Sequence, residues 1–336
     1  MQTLVQIAIF AAGLVVLYFG AEALLKGAVR LAQSFGISAL IIGLTLVAFG
    51  TSAPELSLDL TAAFRGATDL AFGDLVGSNI ANVGLIAGVA AVIRPPRVQM
   101  RLLKIEVPIS IAAALALWGL AADKRLGRID GAVLCAGFAG FLAVCYTSVR
   151  REPAAVKEDL KQAARADVPV IPVPANGKPA PPKDKRSWNV ALVIAGLVGL
   201  VGGAQLMVSA AVSMARQLGV GELLIGLTIV AVGTSLPELA TSVVGAWRDE
   251  GDIVMGNIVG SNIFNLLGIM GLVALVRPIA VHSASLRFEV PVMVALMIGL
   301  VPMMIRLRMT RIGGAVLLFV YAAFIVSQIV TAMSSS

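Results

Sequence analysis

Histidine and cysteine are almost missing from this chain: among 336 residues there is one histidine, His282, and two cysteines, Cys135 and Cys145. No cluster of them exists to hold zinc or a redox metal. The cysteines fall ten residues apart on one expected helix, about 15 Å at the helical rise, too far for an internal disulfide, and read as packing residues. His282 falls in an expected loop and reads as a solvated surface residue. Ser52 lies near Glu55 but has no His or Lys close in sequence to activate it, so a nucleophilic enzyme is not indicated. Charge is scarce as well, at 13%. Also missing are the ten-residue segments of alternating polarity that would build a transmembrane barrel.

What fills the chain is apolar: 58% of residues are hydrophobic and the mean hydropathy is +0.93. Apolar stretches near the length of a membrane span, about 20 residues, recur at roughly 4–26, 39–64, 70–93, 105–122, 129–149, 189–213, 222–247, 253–276, 288–305 and 311–332. Helices alone satisfy their backbone in such segments, so the expectation is an all-α integral membrane protein with ten transmembrane helices. The first segment lacks a basic leader and a small-residue cleavage site, and reads as a retained helix.

The net charge of +7 does not point to nucleic acid, because the basic residues follow topology. Counted by connecting loop, most of the 26 Lys and Arg fall on one side: Lys26 and Arg30, the cluster at 94–104, nine in 150–187, Arg248, and the cluster at 306–311. The positive-inside rule then puts both termini outside, in the inner (plasma) membrane if the source is bacterial. The expected surroundings are membrane lipid, with no cofactor and no protein partner evident.

The chain also repeats itself. A single offset of 183 positions relates Glu55 to Glu238, Ser78 to Ser261, Asn82 to Asn265, Arg94 to Arg277, Pro108 to Pro291 and Arg128 to Arg311. Two halves of five helices each follow, residues 1–149 and 188–336, joined by a Pro- and Lys-rich linker at 150–187 expected to be cytoplasmic, with a short surface helix at 154–166. Five is odd, so the second half enters the membrane from the opposite side. Inverted-topology repeats of this kind place a site near mid-membrane, at discontinuous helices.

The strongest repeat is GLTLVAFGTSAPEL at 43–56 against GLTIVAVGTSLPEL at 226–239. Each copy sets a carboxylate, Glu55 or Glu238, in an apolar run, where an ionised group costs about 2.5–3.5 kcal/mol to insert. Pro54 and Pro237 remove a helical donor, which leaves the carbonyls of Gly50 and Gly233 without their partners and tilts out those of Thr51 and Thr234. The hydroxyls of Thr51, Ser52, Thr234 and Ser235 add further oxygens. A second pair, GDLVGSNIAN at 73–82 and GNIVGSNIFN at 256–265, sets Ser78 with Asn82, and Ser261 with Asn265, on one helix face each. Oxygen ligands without sulfur or imidazole select Na⁺, Ca²⁺ or Mg²⁺, and a flexible cage around two carboxylates suits Ca²⁺ better than Mg²⁺.

Asp59, one turn beyond Glu55, reads as an exposed vestibule carboxylate, or else as an accessory ion or proton site; its repeat partner is Ser242. Glu106 and Glu289 read as interfacial partners of Lys104 and Arg287, and Asp69 and Asp252 as helix N-terminal charges.

At these motifs the chain resembles the calcium/cation antiporter superfamily, specifically its bacterial sodium/calcium exchanger-like members. The resemblance implies a secondary antiporter and not an enzyme. It further implies that Glu55 and Glu238 are central Ca²⁺ ligands with the main-chain oxygens of Thr51 and Thr234. The Ala48 and Ala231 carbonyls and the Ser52 and Ser235 hydroxyls would line outer ion positions, and Ser78, Asn82, Ser261 and Asn265 would complete sodium sites. It implies, too, that the first and sixth helices slide across the other eight. Asn265 stands where some relatives carry Asp, which disfavours K⁺ coupling. The expected activity is exchange of Ca²⁺ for Na⁺ by alternating access, with H⁺ as the alternative counter-ion; a passive channel is disfavoured because such a cage binds too tightly for conduction.

Overall fold

The structure, a computed structural model, describes residues 2–165, 186–218 and 231–335. It is almost entirely helical. In chain order come α1 (Gln2–Phe35), α2 (Ala39–Thr51), α3 (Ala53–Arg65), α4 (Thr68–Ile93), α5 (Leu102–Asp123), β1 (Arg125–Leu126), α6 (Arg128–Arg165), α7 (Arg186–Gln217), α8 (Ala231–Thr234), α9 (Leu236–Trp247), α10 (Gly251–Val276), β2 (Ile279–Ala280), α11 (Ser285–Met304) and α12 (Arg311–Ser335). Eight of these helices are long and apolar enough to cross a membrane among the described residues, or nine if α2 and α3, bent by 44° at Ser52, form one broken span. The expected span at 222–247 lies partly outside the described residues; α8 and α9 are its described part.

Burial sorts the helices into an inner and an outer set. The apolar stretch of α10 is 89% buried and that of α4 72%, against 22% for α1, α6 and α12. The outer helices instead expose large apolar side chains, such as Phe319 on α12 and Ile129 on α6. A surface of this kind needs an apolar solvent, as a multi-pass integral membrane protein has.

Glycine governs the closest helix contacts. Along α1 and α7 the backbones touch: a Cβ placed on Gly20 would lie 2.7 Å from the Leu200 amide nitrogen, and one on Gly203 2.6 Å from that of Leu17. The same device draws α2 onto α10, where a Cβ at Gly260 would lie 2.6 Å from the Leu44 carbonyl. Small residues at such crossings let van der Waals contact replace the hydrophobic drive that lipid cannot supply.

The connections gather into two groups. In one, Arg94 pairs with Asp249 at 3.0 Å, Val98 donates to Leu307 at 2.9 Å, and Gln99 donates to Asp252 at 2.8 Å. In the other, β1 pairs antiparallel with β2, and Gly66 packs beside the Arg277 guanidinium. Each of these contacts joins segments that the charge pattern assigns to one side.

Several local expectations change. Helix α6 runs unbroken to Arg165, so the helix expected to end near 149 and the short helix expected at 154–166 are one element; its AAVKEDLKQAAR segment is rich in strong helix formers. Residues 166–185 of the expected linker lie outside the described residues. Glu106 is fully buried and accepts from Arg101 at 2.9 Å, not from Lys104. It sits in a π-helical turn, Leu102–Glu106, which changes which basic residue faces it. Glu289 accepts from Gln328 on α12 at 2.7 Å, where Arg287 was expected. Asp69 and Asp252 do occupy first helical turns, and His282 is an exposed loop residue.

Candidate ion-binding site

The break between α2 and α3 follows from the sequence TSAPE. Pro54 lacks an N–H, and the chain leaves helical geometry at Ser52, with φ −85° and ψ 8°. Its repeat partner Ser235, between α8 and α9, has φ −86° and ψ 5°, so Pro237 acts alike. Helix α3 then opens with Glu55 in its first turn, and α9 with Glu238. A carboxylate at a helix N-terminus meets the positive end of the dipole, which offsets part of the cost of burying it.

These two breaks meet. The Ser52 hydroxyl donates to Glu238 Oε1 at 3.0 Å, and Thr51 lies within electrostatic reach of the same carboxylate. Thr51 additionally contacts the Asn257 side-chain oxygen at 3.1 Å and the Ala48 carbonyl at 3.4 Å; with one proton, it serves one acceptor at a time. Glu55 lies within electrostatic reach of Glu238. Both carboxyl groups are buried, 1% exposed each, as are Thr51, Ser52 and Ser235.

Helices α4 and α10 close the site from either side. Ser78, Asn82, Ser261 and Asn265 are all buried, and Asn82 Nδ2 donates to Asn262 Oδ1 at 3.0 Å, tying α4 to α10. π-helical turns begin at Asn82 and at Phe264, a geometry often found at functional sites. The Ala48 carbonyl already accepts from the Ser52 amide at 3.0 Å, but a carbonyl keeps a second lone pair. Ala231 opens α8.

Oxygens without partners accumulate here. Glu55 Oε2, Glu238 Oε2, Ser78 Oγ, Asn82 Oδ1, Ser235 Oγ, Ser261 Oγ and Asn265 Oδ1 are buried and make no hydrogen bond. Buried polar atoms are normally paired, and no Lys or Arg forms an ion pair with either glutamate among the described residues. Two carboxylates together with hydroxyl and amide oxygens that have no committed partner can turn their lone pairs to a bare cation; the hydroxyls also carry donor protons, and Asn257 Nδ2 and Asn265 Nδ2 are buried donors without partners. Among the described residues no three His, Cys, Asp or Glu side chains gather as at a metal centre, so neutral oxygens would have to supply most of the coordination.

Asp59 is not the exposed vestibule carboxylate expected: it is 0% exposed, because α3 turns its Glu55 face wholly inward. Asp74, Asn79, Asn257 and Asn262 are further polar residues of this region beyond those expected from the motifs. Asp74 lies within electrostatic reach of Glu55 and Glu238. Its signal was the four-residue spacing Asp74, Ser78, Asn82, repeated as Asn257, Ser261, Asn265, which puts each set on one helix face. Asn79 and Asn262 recur unchanged at the repeat offset and are buried.

The chain is similar to known proteins over most of its length. The chain is 32% identical over 334 residues to the sodium/calcium exchanger MaX1 of Methanosarcina acetivorans, covering 94% of this chain and 95% of that one. It is 36% identical over 274 residues to the inner membrane protein YrbG of Escherichia coli K12, covering 81% and 80%. Its fold matches a structure of the sodium-calcium exchanger NCX_Mj, soaked with zero Na⁺ and Ca²⁺, with a TM-score of 0.80, 28% identity, and coverage of 97% and 99%. Residues 5–147 and 188–330 match the family model for the sodium/calcium exchanger protein, and the chain belongs to that family of membrane antiporters.

Proposed function

We propose that this protein exchanges Ca²⁺ for Na⁺ by alternating access, using ten transmembrane helices in two inverted halves, residues 1–149 and 188–336. The observation that carries the reading is the meeting of Ser52 and Glu238 at 3.0 Å, which couples the motif of one half to the carboxylate of the other. The matching backbone breaks at Ser52 and Ser235 support the repeat.

Two carboxylates can be neutralised by one Ca²⁺ or by two Na⁺. Both ions take oxygen ligands, and competition for one set of acceptors makes exchange obligatory. Under this reading Glu55 and Glu238 hold Ca²⁺ with main-chain oxygens of Thr51 and Thr234. Ala48, Ala231, Ser52, Ser235, Ser78, Asn82, Ser261 and Asn265 line the Na⁺ positions. The empty cage leaves buried anions unpaired, a costly state, so translocation favours a loaded site.

Alternate exposure would come from α1 and α7. They meet through glycine backbones and share one buried apolar cluster, so the pair would move as one body across the other helices. The basic connections, with the 150–187 linker, face the cytoplasm and both termini lie outside, in the inner membrane of a bacterial cell.

The test is ⁴⁵Ca²⁺ flux in vesicles with Na⁺, H⁺ and K⁺ gradients imposed singly. Uptake driven by an outward Na⁺ gradient is expected. Uptake that follows a pH gradient and ignores Na⁺ would assign H⁺ as counter-ion. Large unitary currents without counter-ion would overturn antiport altogether.

A further inference from the structure

Two more carboxylates stand on the side of the cage toward Gly66. Asp59 lies four residues beyond Glu55 on α3, about 6 Å along the axis, and Asp74 lies on the neighbouring α4. They are within electrostatic reach of each other. Asp59 is completely buried, yet neither of its carboxylate oxygens has a hydrogen-bond partner, and Asp74 Oδ2 has none either. No ion pair reaches them among the described residues.

A neutral oxygen joins them. Ser78 follows Asp74 by one turn on the same face of α4, is 4% exposed, and its hydroxyl is unpartnered. Asp74 itself is half-buried, which leaves a path for ions and water. The other half of the molecule has no equivalent: the matching positions are the neutral Ser242 and Asn257. Two ionised carboxylates side by side repel strongly at low dielectric, so the pair is fully ionised only with a cation between them.

We propose that Asp59 and Asp74 form a second cation site, next to the Glu55–Glu238 cage and sharing Ser78 with it, that takes a hard divalent cation of the Ca²⁺ class on the Gly66 side of the protein. Two carboxylates match its charge, Ser78 adds an oxygen, and water entering past Asp74 completes the six to eight ligands that Ca²⁺ accepts. The site exists in one half only, so the two mouths of the transporter differ in charge. An ion held there lies one helical turn from the cage, where it raises the local supply of cation on that side. The second site does not require Na⁺/Ca²⁺ exchange; only the count of two ions in its test rests on that reading, with the cage as the other Ca²⁺ site.

The experiment is equilibrium ⁴⁵Ca²⁺ binding to the full-length protein purified in detergent. One variant combines Asp59→Ser with Asp74→Asn, which installs the pair that the second half already carries; the other combines Glu55→Gln with Glu238→Gln. The wild type is expected to bind about two Ca²⁺ per chain and each variant about one. Unchanged stoichiometry and affinity in the Asp59/Asp74 variant would overturn the second site. So would complete loss of binding in that variant while it elutes as a monodisperse peak, since the four carboxylates would then form one site. If the Glu55/Glu238 variant alone keeps wild-type binding, the second site stands and the exchange reading falls.

Discussion

Ser52 and Glu238 are 186 positions apart in the chain, and the hydroxyl of one donates to the carboxylate of the other at 3.0 Å. Their repeat partners behave differently: Ser235 Oγ is buried and donates to nothing. The two halves therefore reach the centre with matched backbones but unequal hydrogen bonding. Ser52 supports a carboxylate, whereas Ser235 holds its oxygen free for an ion.

That inequality separates two alanine variants. Ser52→Ala removes a hydrogen bond to a charged group, worth about 1.5–3 kcal/mol. It is expected to weaken Ca²⁺ transport about tenfold and to lower the melting temperature of the ion-free protein. Ser235→Ala is expected to weaken ion binding while leaving ion-free melting unchanged. Thermal melts with and without Ca²⁺, alongside ⁴⁵Ca²⁺ flux, make the comparison; equal melting shifts in both variants would contradict it.

Glu55→Gln and Glu238→Gln each remove half of the charge of the cage. Transport is expected to fall below about 1% of wild type with the protein still folded in the membrane. A ligand at 100 times its Kd stabilises a protein by about 2.7 kcal/mol. The Ca²⁺-induced rise in melting temperature should therefore be present in wild type and missing in both variants. Retained flux in either variant would remove that residue from the mechanism.

Much of this site was legible because duplicated chemistry stands out against apolar sequence. Glu55, Glu238 and their prolines stand out in the repeat, and the donor missing at Pro54 accounts for the break at Ser52. Asp74 was harder to see, since it differs from Asn257 and a search for matched positions passes over differences. The burial of Asp59 depends on how α3 rotates, which spacing along one helix does not fix. The partners of Glu106 and Glu289 were missed for another reason: π-helical turns at Leu102–Glu106 and Ser285–Glu289 shift the register of the side chains.

Glycine spacing yields a prediction about motion. A side chain at Gly203 would strike the Leu17 backbone at 2.6 Å, whereas Gly202 has nothing within 4 Å. Overpacking costs about 1–3 kcal/mol, so Gly203→Val is expected to lower both melting temperature and flux. Gly202→Ala should change neither. Equal effects at the two positions would show that the α1–α7 contact is not tight.

Arg248, just after α9, pairs with Glu22 on α1. If α1 moves against the rest of the molecule, this pair must break and re-form in each cycle. Glu22→Gln is expected to change the turnover rate while leaving equilibrium Ca²⁺ affinity within twofold, because an exposed pair contributes only about 0–1 kcal/mol. Rates should also respond to ionic strength in wild type and less in the variant. An unchanged rate with altered affinity would place Glu22 in the binding site instead.

Asn265 offers a test of stoichiometry. Both of its side-chain polar atoms are buried without partners, so Asn265→Asp adds a third negative charge at a place already open to an ion. A cage of two carboxylates is neutralised by two Na⁺, and one of three requires three. The Na⁺ dependence of ⁴⁵Ca²⁺ efflux is expected to steepen in the variant, its Hill coefficient rising by about one. Moving one more charge per cycle couples transport to voltage by about 2.3 kcal/mol per 100 mV. An imposed membrane potential should therefore alter the rate more in Asn265→Asp than in wild type. If Na⁺ dependence and voltage response both stay as in wild type, Asn265 does not face the Na⁺ positions and the proposed ligand set loses that residue.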